Sequence, residues 1–161
     1  MKRHPGLHPL SQHHHFALIQ SWEMKRAAQA PAAKRAALVR QAAQKFLRFW
    51  KRTGQQHFRE EEEILLPAYA RVQRLDEDPK VMRLLAEHAI LRGYLADIEA
   101  GLGAGQPVEE VVAALARLLH DHVRFEENEV FPRIEKALGE EALLRLEGRF
   151  TRLHPKRSCE I

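Results

Sequence analysis

One cysteine in 161 residues, Cys159, excludes a disulfide within the chain and any thiolate metal cluster, so metal ligands must come from histidines and carboxylates. Long apolar runs are lacking too. A membrane-spanning helix needs about 20 apolar residues, and the stretch from Val111 to Leu119 is short and carries Arg117. The Met-Lys-Arg start is followed by neither an apolar core nor a small-residue cleavage site, so the expectation is no signal peptide, no membrane partner and a cytoplasmic location. Neither sign of charge is in large excess: 26 Lys and Arg against 22 Asp and Glu leave a net charge of +4. The basic residues are dispersed among acids and no nucleic-acid motif accompanies them, so nucleic acid is not an expected partner. Few residues are β-branched, whereas alanine, leucine, glutamate and arginine dominate, and helix is expected almost throughout.

Helix-breaking residues divide the chain. Ser11 is placed to cap a first helix running to about Ala30, before Pro31. A second helix is expected from about Ala32 to Arg74, with a kink before Pro67, where a backbone donor is missing. The turn Asp76-Glu-Asp-Pro79 leads into a third helix that ends near Gly101, and Gly101 to Pro107 forms a connection. A fourth helix runs to about Leu138, disturbed at Pro132, and Gly139 closes it; Glu140 to Leu153 reads as a short fifth helix. Four long helices with short connections predict an all-α, antiparallel up-down-up-down four-helix bundle spanning 11–138, flanked by an arm over 1–10 and a short helix and tail over 139–161.

Inside this frame the chain repeats itself. His57-Phe-Arg-Glu-Glu61-Glu-Glu-Ile-Leu-Leu-Pro67 returns as His122-Val-Arg-Phe-Glu126-Glu-Asn-Glu-Val-Phe-Pro132, at an offset of 122 − 57 = 65. A histidine and a glutamate four apart lie one turn above each other on a helix, so each copy aims an imidazole and a carboxylate at one place. Both copies fall on apolar stripes: Phe46, Phe49, Trp50, Thr53 and Ile64 around the first, with Gly54 tolerated inside the helix, and Val112, Leu115, Leu119, Phe125 and Val130 around the second. A lone histidine on such a stripe is usually a satisfied core residue. Buried imidazoles and carboxylates are costly unless paired, hydrogen-bonded or metal-bound, and the same anomaly twice in matching phase points to coordination.

The other long helices should then add partners at the same level. His88 opens the stripe of Leu91, Leu95, Ile98 and Leu102. In the first helix His15 stands in a similar relation to Leu18, Ile19 and Trp22, whereas His13 and His14 have Gln20 and Ser21 seven positions on, so His15 is preferred and His14 is the alternative. Four imidazoles (His15 or His14, His57, His88, His122) and two carboxylates (Glu61, Glu126) make a dinuclear site plausible, and a nitrogen and oxygen ligand set with open positions favours iron over manganese or zinc. Because imidazole binds metal only when neutral, uptake is expected to fall as pH drops through roughly 6.5.

The doubled motif, each copy running through acids and an apolar pair into proline, resembles the hemerythrin-like, or HHE cation-binding, domain family over roughly residues 11–138. That resemblance implies a four-helix bundle holding a non-haem di-iron centre, oxo- or hydroxo- and carboxylate-bridged, which binds or senses dioxygen, nitric oxide, peroxide or iron. It carries the ligand roles to His15, His57, Glu61, His88, His122 and Glu126. Arg92 stands where the oxygen carriers have a second third-helix histidine, and Glu126 follows its histidine by four residues rather than five. Both departures resemble the iron-sensing and bacterial members rather than the carriers. A di-iron enzyme (ferroxidase, or peroxide or nitric oxide chemistry) and a zinc-bound or metal-free interaction bundle are the alternative functions.

Other polar residues read as ordinary. Glu60, Glu62, Glu63, Glu127 and Glu129 form charge runs typical of solvated faces, with Glu60 close enough to the ligand face to accept a histidine N–H. His120 is expected in solvent; Tyr94, Met24 and Trp22 in packing; His4, His8 and His154 in ends that bind nothing specific.

Overall fold

The computed structural model describes residues 3–152, which form helices and turns with no strand among them. Cys159, His154 and Leu153, the expected end of the fifth helix, lie outside the described residues. After a 3-10 turn at Pro5–Leu7, α1 spans His8–Ala28. It starts three residues before Ser11 because Pro9, near its start, needs no backbone donor there. Ser11 does not cap: its hydroxyl donates to Glu127 Oε1 at 2.7 Å. Pro31 separates α1 from α2, which covers 32–69. Asp78 caps α3, Pro79–Gly103, its side chain accepting the Lys80 N–H at 3.1 Å. The fourth helix, α4, covers 109–138, and Gly139 at φ 69° breaks it from α5, 140–146. Only glycine takes that positive φ at little cost.

Neither Pro67 nor Pro132 ends a helix. In front of each, one turn widens to π geometry, Glu61–Leu65 and Glu126–Val130, with Leu66 N–H donating to the Glu61 carbonyl and Phe131 N–H to that of Glu126. The extra residue per turn accommodates a ring that cannot donate, so α2 and α4 are disturbed ahead of each proline and continue beyond it. A third wide turn, Trp50–Gly54, lies where Gly54 meets the Trp50 ring.

Side-chain contacts fix the directions. Ser11 meets Glu127 while Ser21 donates to the Ala116 carbonyl, so α1 and α4 run oppositely. His14 meets His57 while Lys45 meets Glu23; His88 meets Glu62 while Lys51 meets Glu99; Glu87 meets His122 while Lys80 meets Glu129. Each neighbouring pair is therefore antiparallel, as an up-down-up-down bundle requires.

Two apolar clusters hold the bundle. One gathers Met24, Val39, Phe46, Phe49, Leu91, Ile98, Val112 and Leu115; the other gathers Leu7, Leu10, Leu65, Tyr69, Leu84, Phe131, Ile134, Leu143 and Phe150. Each Leu or Phe fully withdrawn from water contributes about 1.5–3 kcal/mol. A layer of buried histidines and glutamates lies among them.

Candidate metal centre

Four helices deliver this layer. The four-residue spacing stacks His57 on Glu61 in α2 and His122 on Glu126 in α4, α3 contributes His88, and α1 contributes His14; all six are buried. Glu126 Oε2 lies 2.9 Å from His14 Nε2, and its Oε1 lies 3.1 Å from His122 Nε2 and 3.7 Å from His88 Nε2. Glu61 repeats the pattern, Oε1 3.5 Å from His57 Nε2 and Oε2 3.3 Å from His88 Nε2. Each carboxylate thus turns one oxygen to the His14/His57 pair and the other to the His88/His122 side. Ligand atoms of His14, His57, Glu61 and Glu126 fall within 4.8 Å of one another, as do those of His88, His122 and Glu126.

These approaches are close but not aligned as hydrogen bonds. Both oxygens of Glu61, both of Glu126, and Nε2 of His88 and of His122 have no hydrogen-bond partner among the described residues. A buried carboxylate with no hydrogen bond is among the costliest arrangements in a protein interior, and the two groups could each hold a cation that would engage these atoms. The donor set, imidazole nitrogen and carboxylate oxygen, suits iron, manganese or zinc.

Protons offset part of that cost. Burial by itself would lower all three imidazoles, but the contacts of His14 with Glu126 and Glu127 push it up to about 10, those of His88 with Glu126, Glu61 and Glu62 to about 11, and those of His122 with Glu126 and Glu87 to about 9. His57 goes the other way: burial, reinforced by the neighbouring His14, holds it well below the ordinary imidazole value. Burial and the Glu126 carboxylate raise Glu61, whereas His122, His14 and His88 overcome burial and hold Glu126 well below the carboxylate range.

The far nitrogens of the rings are held as firmly. Nδ1 of His88 lies 2.7 Å from Glu62, which Arg92 grips at 2.9 Å. His122 Nδ1 lies 2.8 Å from Glu87, gripped by Arg83 at 2.7 Å, and His14 Nδ1 lies 2.6 Å from Glu127, gripped by Arg3 at 2.8 Å. Carboxylates on the outer nitrogen fix the ring and raise its basicity as a ligand. His57 differs: its Nδ1 faces His13 Nδ1 at 3.3 Å, and His13 Nε2 lies 2.9 Å from the Thr151 carbonyl.

The sequence reading anticipates His57, Glu61, His88, His122 and Glu126 at one place, and the structure brings them together. It places the α1 preference differently: His15 is exposed, and His14 is the residue in the cluster. Glu62 and Glu127, read as solvated, hold imidazoles of the cluster; His13, set aside as a first-helix candidate, meets His57, and Glu87 carries no signal in the sequence reading. The repeat itself carries a signal for two of them, since Glu62 and Glu127 each follow the motif glutamate and are also 65 apart. Glu60 is buried, but it accepts from the Thr151 N–H at 2.8 Å and from Gln56 rather than from a ligand-side histidine. Arg92 stays at the rim, braced on Glu62 and lying over the Phe58 ring. His120 is exposed, Met24 is packed in the core, and Trp22, expected in packing, is 56% exposed beneath Arg26.

A cavity of about 20 Å³ adjoins the cluster, walled by His14, His57 and His122 and by Phe46, Phe49, Trp50, Phe58 and Leu119. That is room for about one water-sized molecule. No described helix is long and apolar enough to cross a membrane. The family model for the hemerythrin HHE cation binding domain matches residues 6–134. Neither the curated proteins nor the solved structures gave a match.

Proposed function

The chain belongs to the hemerythrin HHE cation-binding domain family, and from this premise we propose that its buried cluster holds a non-haem di-iron centre that takes up or senses dioxygen, nitric oxide, peroxide or iron. His14 and His57 would hold one ion and His88 and His122 the other, with Glu61 and Glu126 offering an oxygen to each side. The observation that carries the reading is the convergence of the orphaned Glu61, Glu126, His88 and His122 atoms, each carboxylate dividing its oxygens between two imidazole groups. Two cations held in one buried layer would need anionic ligands, and two buried glutamates would supply that charge.

When bound, iron supplies the redox and small-ligand chemistry. The protein's own residues set the conditions for it. Phe58 stacks on His88 with ring centroids 3.6 Å apart and fixes that ring, while Phe46, Phe49 and Leu119 give the adjoining cavity an apolar wall. A space this small admits a diatomic molecule or a water and excludes an organic substrate.

The test is to load metal-free protein anaerobically with ferrous iron, count iron per chain, then admit oxygen or nitric oxide and record the visible spectrum. About two irons per chain and a new charge-transfer band are expected. Repeated turnover of added peroxide would mark an enzyme rather than a sensor. A protein that takes zinc but no iron, and shows no oxygen-dependent spectrum, would refute the di-iron reading.

A further inference from the structure

We propose that His13 is a positioning residue that makes the two halves of the centre unequal, so that the His88/His122 half binds its metal ion tightly and the His14/His57 half, beside the cavity, binds more weakly. This rests on the dinuclear reading above. Three of the four inner imidazoles have an anionic partner on their outer nitrogen: Glu62 for His88, Glu87 for His122, Glu127 for His14. The fourth has a neutral one. If His57 Nε2 presents its lone pair to the cluster, its proton is on Nδ1 and must be donated to His13 Nδ1, 3.3 Å away. His13 then carries its own proton on Nε2, and that nitrogen lies 2.9 Å from the Thr151 carbonyl, which can only accept. The carbonyl therefore fixes the tautomer of His13, and His13 fixes that of His57.

The chain from Thr151 through His13 to His57 has a single consistent direction of donation, ending in a lone pair aimed at the cluster. His13 is 2% exposed, so no solvent competes for the contact. Thr151 is held in turn by its own N–H, donated to Glu60 Oε1 at 2.8 Å. The cost of this arrangement is charge. A carboxylate partner makes an imidazole a stronger ligand, and outer partners of this kind alter metal affinity by about 10–100-fold. The His88/His122 half has two such carboxylates and the His14/His57 half has one, so the two stepwise affinities should differ by a factor in that range. Both imidazoles of the weaker half, His14 and His57, line the cavity, as does His13, whereas only His122 of the other half does.

The test combines metal titration with a tautomer measurement on the full chain. Anaerobic ferrous titration against a competing chelator should give two steps in the unaltered protein. His13→Leu should weaken the second step by about 10–100-fold and leave the first within about twofold, His13→Gln should restore the second step by offering an acceptor oxygen, and Glu62→Gln should weaken the first. In the zinc-loaded protein, which is diamagnetic and needs no substitution, ring-nitrogen shifts should show His13 protonated on Nε2 and bare on Nδ1. A proton on His13 Nδ1, or a His13→Leu variant in which both steps move together or neither moves, overturns the inference and leaves the dinuclear reading intact. Failure of the unaltered protein to bind any divalent metal overturns both.

Discussion

Metal loading should expel about three protons per chain at pH 8, because His14, His88 and His122 stand near 10, 11 and 9 in the metal-free cluster and imidazole must be neutral to ligate. His57, held well below its ordinary value, and His13, lowered chiefly by burial, are already neutral and add none. The overall two-ion loading constant should therefore rise by about a thousandfold per pH unit around neutrality, a factor of ten for each proton displaced. The sequence alone places this competition near pH 6.5; the buried carboxylates move it upward by several units. Stability follows the same groups with the opposite sign. Each of the three has a folded-state pKa above its unfolded value, so its contribution to the metal-free fold is complete below about pH 6.5 and is lost as pH rises through roughly 9 to 11. The melting temperature of the metal-free protein should fall across that upper window, while that of the loaded protein, whose imidazoles carry no such protons, should not fall for this reason. Calorimetric titration at pH 8 in buffers of different ionisation enthalpy counts the protons. Release of fewer than one per chain would refute the electrostatic account of the cluster.

Four substitutions probe the rest of the site. His14→Ala should remove about one metal ion per chain by elemental analysis, whereas His15→Ala, on the exposed face, should leave the metal content unchanged. Phe58→Ala removes a ring 3% exposed that stacks on His88, at an expected cost of about 3–5 kcal/mol, which a thermal melt should register as a drop of about 6–20 °C for a domain this size. A methyl added at Gly54 would lie 2.5 Å from Trp50 Cε3, so Gly54→Ala must shift the ring that walls the cavity; a loss of about 1–3 kcal/mol in denaturant titration is expected. An unchanged unfolding midpoint in that variant would mean the ring moves freely.

The difference between His14 and His15 shows where sequence reasoning lost its hold. On α1 the apolar Leu18, Ile19 and Trp22 favour His15, and the polar Gln20 and Ser21 count against His13 and His14. Gln20 and Ser21 are polar yet buried, Ser21 because its hydroxyl donates to the Ala116 carbonyl at 2.8 Å, while Ile19 and Trp22 are 39% and 56% exposed. A helix face is apolar only on average, and a single satisfied hydroxyl reverses the inference. Pro67 and Pro132 predict disturbed turns inside continuing helices; the structure supplies their form, one wide turn ahead of each, and both wide turns begin at the glutamates that face the cluster. Glu62 and Glu127 look like solvent-facing members of acidic runs because the imidazoles they hold, His88 and His14, come from other helices.

The 65-residue repeat and the helical periodicity around it were sufficient to determine an all-α bundle with a layer of imidazoles and carboxylates, because a four-residue spacing on a helix dictates which side chains share a face. Tertiary structure alone decided which α1 histidine enters that layer, how Glu61 and Glu126 divide their oxygens, and which partner holds each outer ring nitrogen. Those matters depend on the rotation and register of one helix against another, and such settings come from packing between segments far apart in the chain.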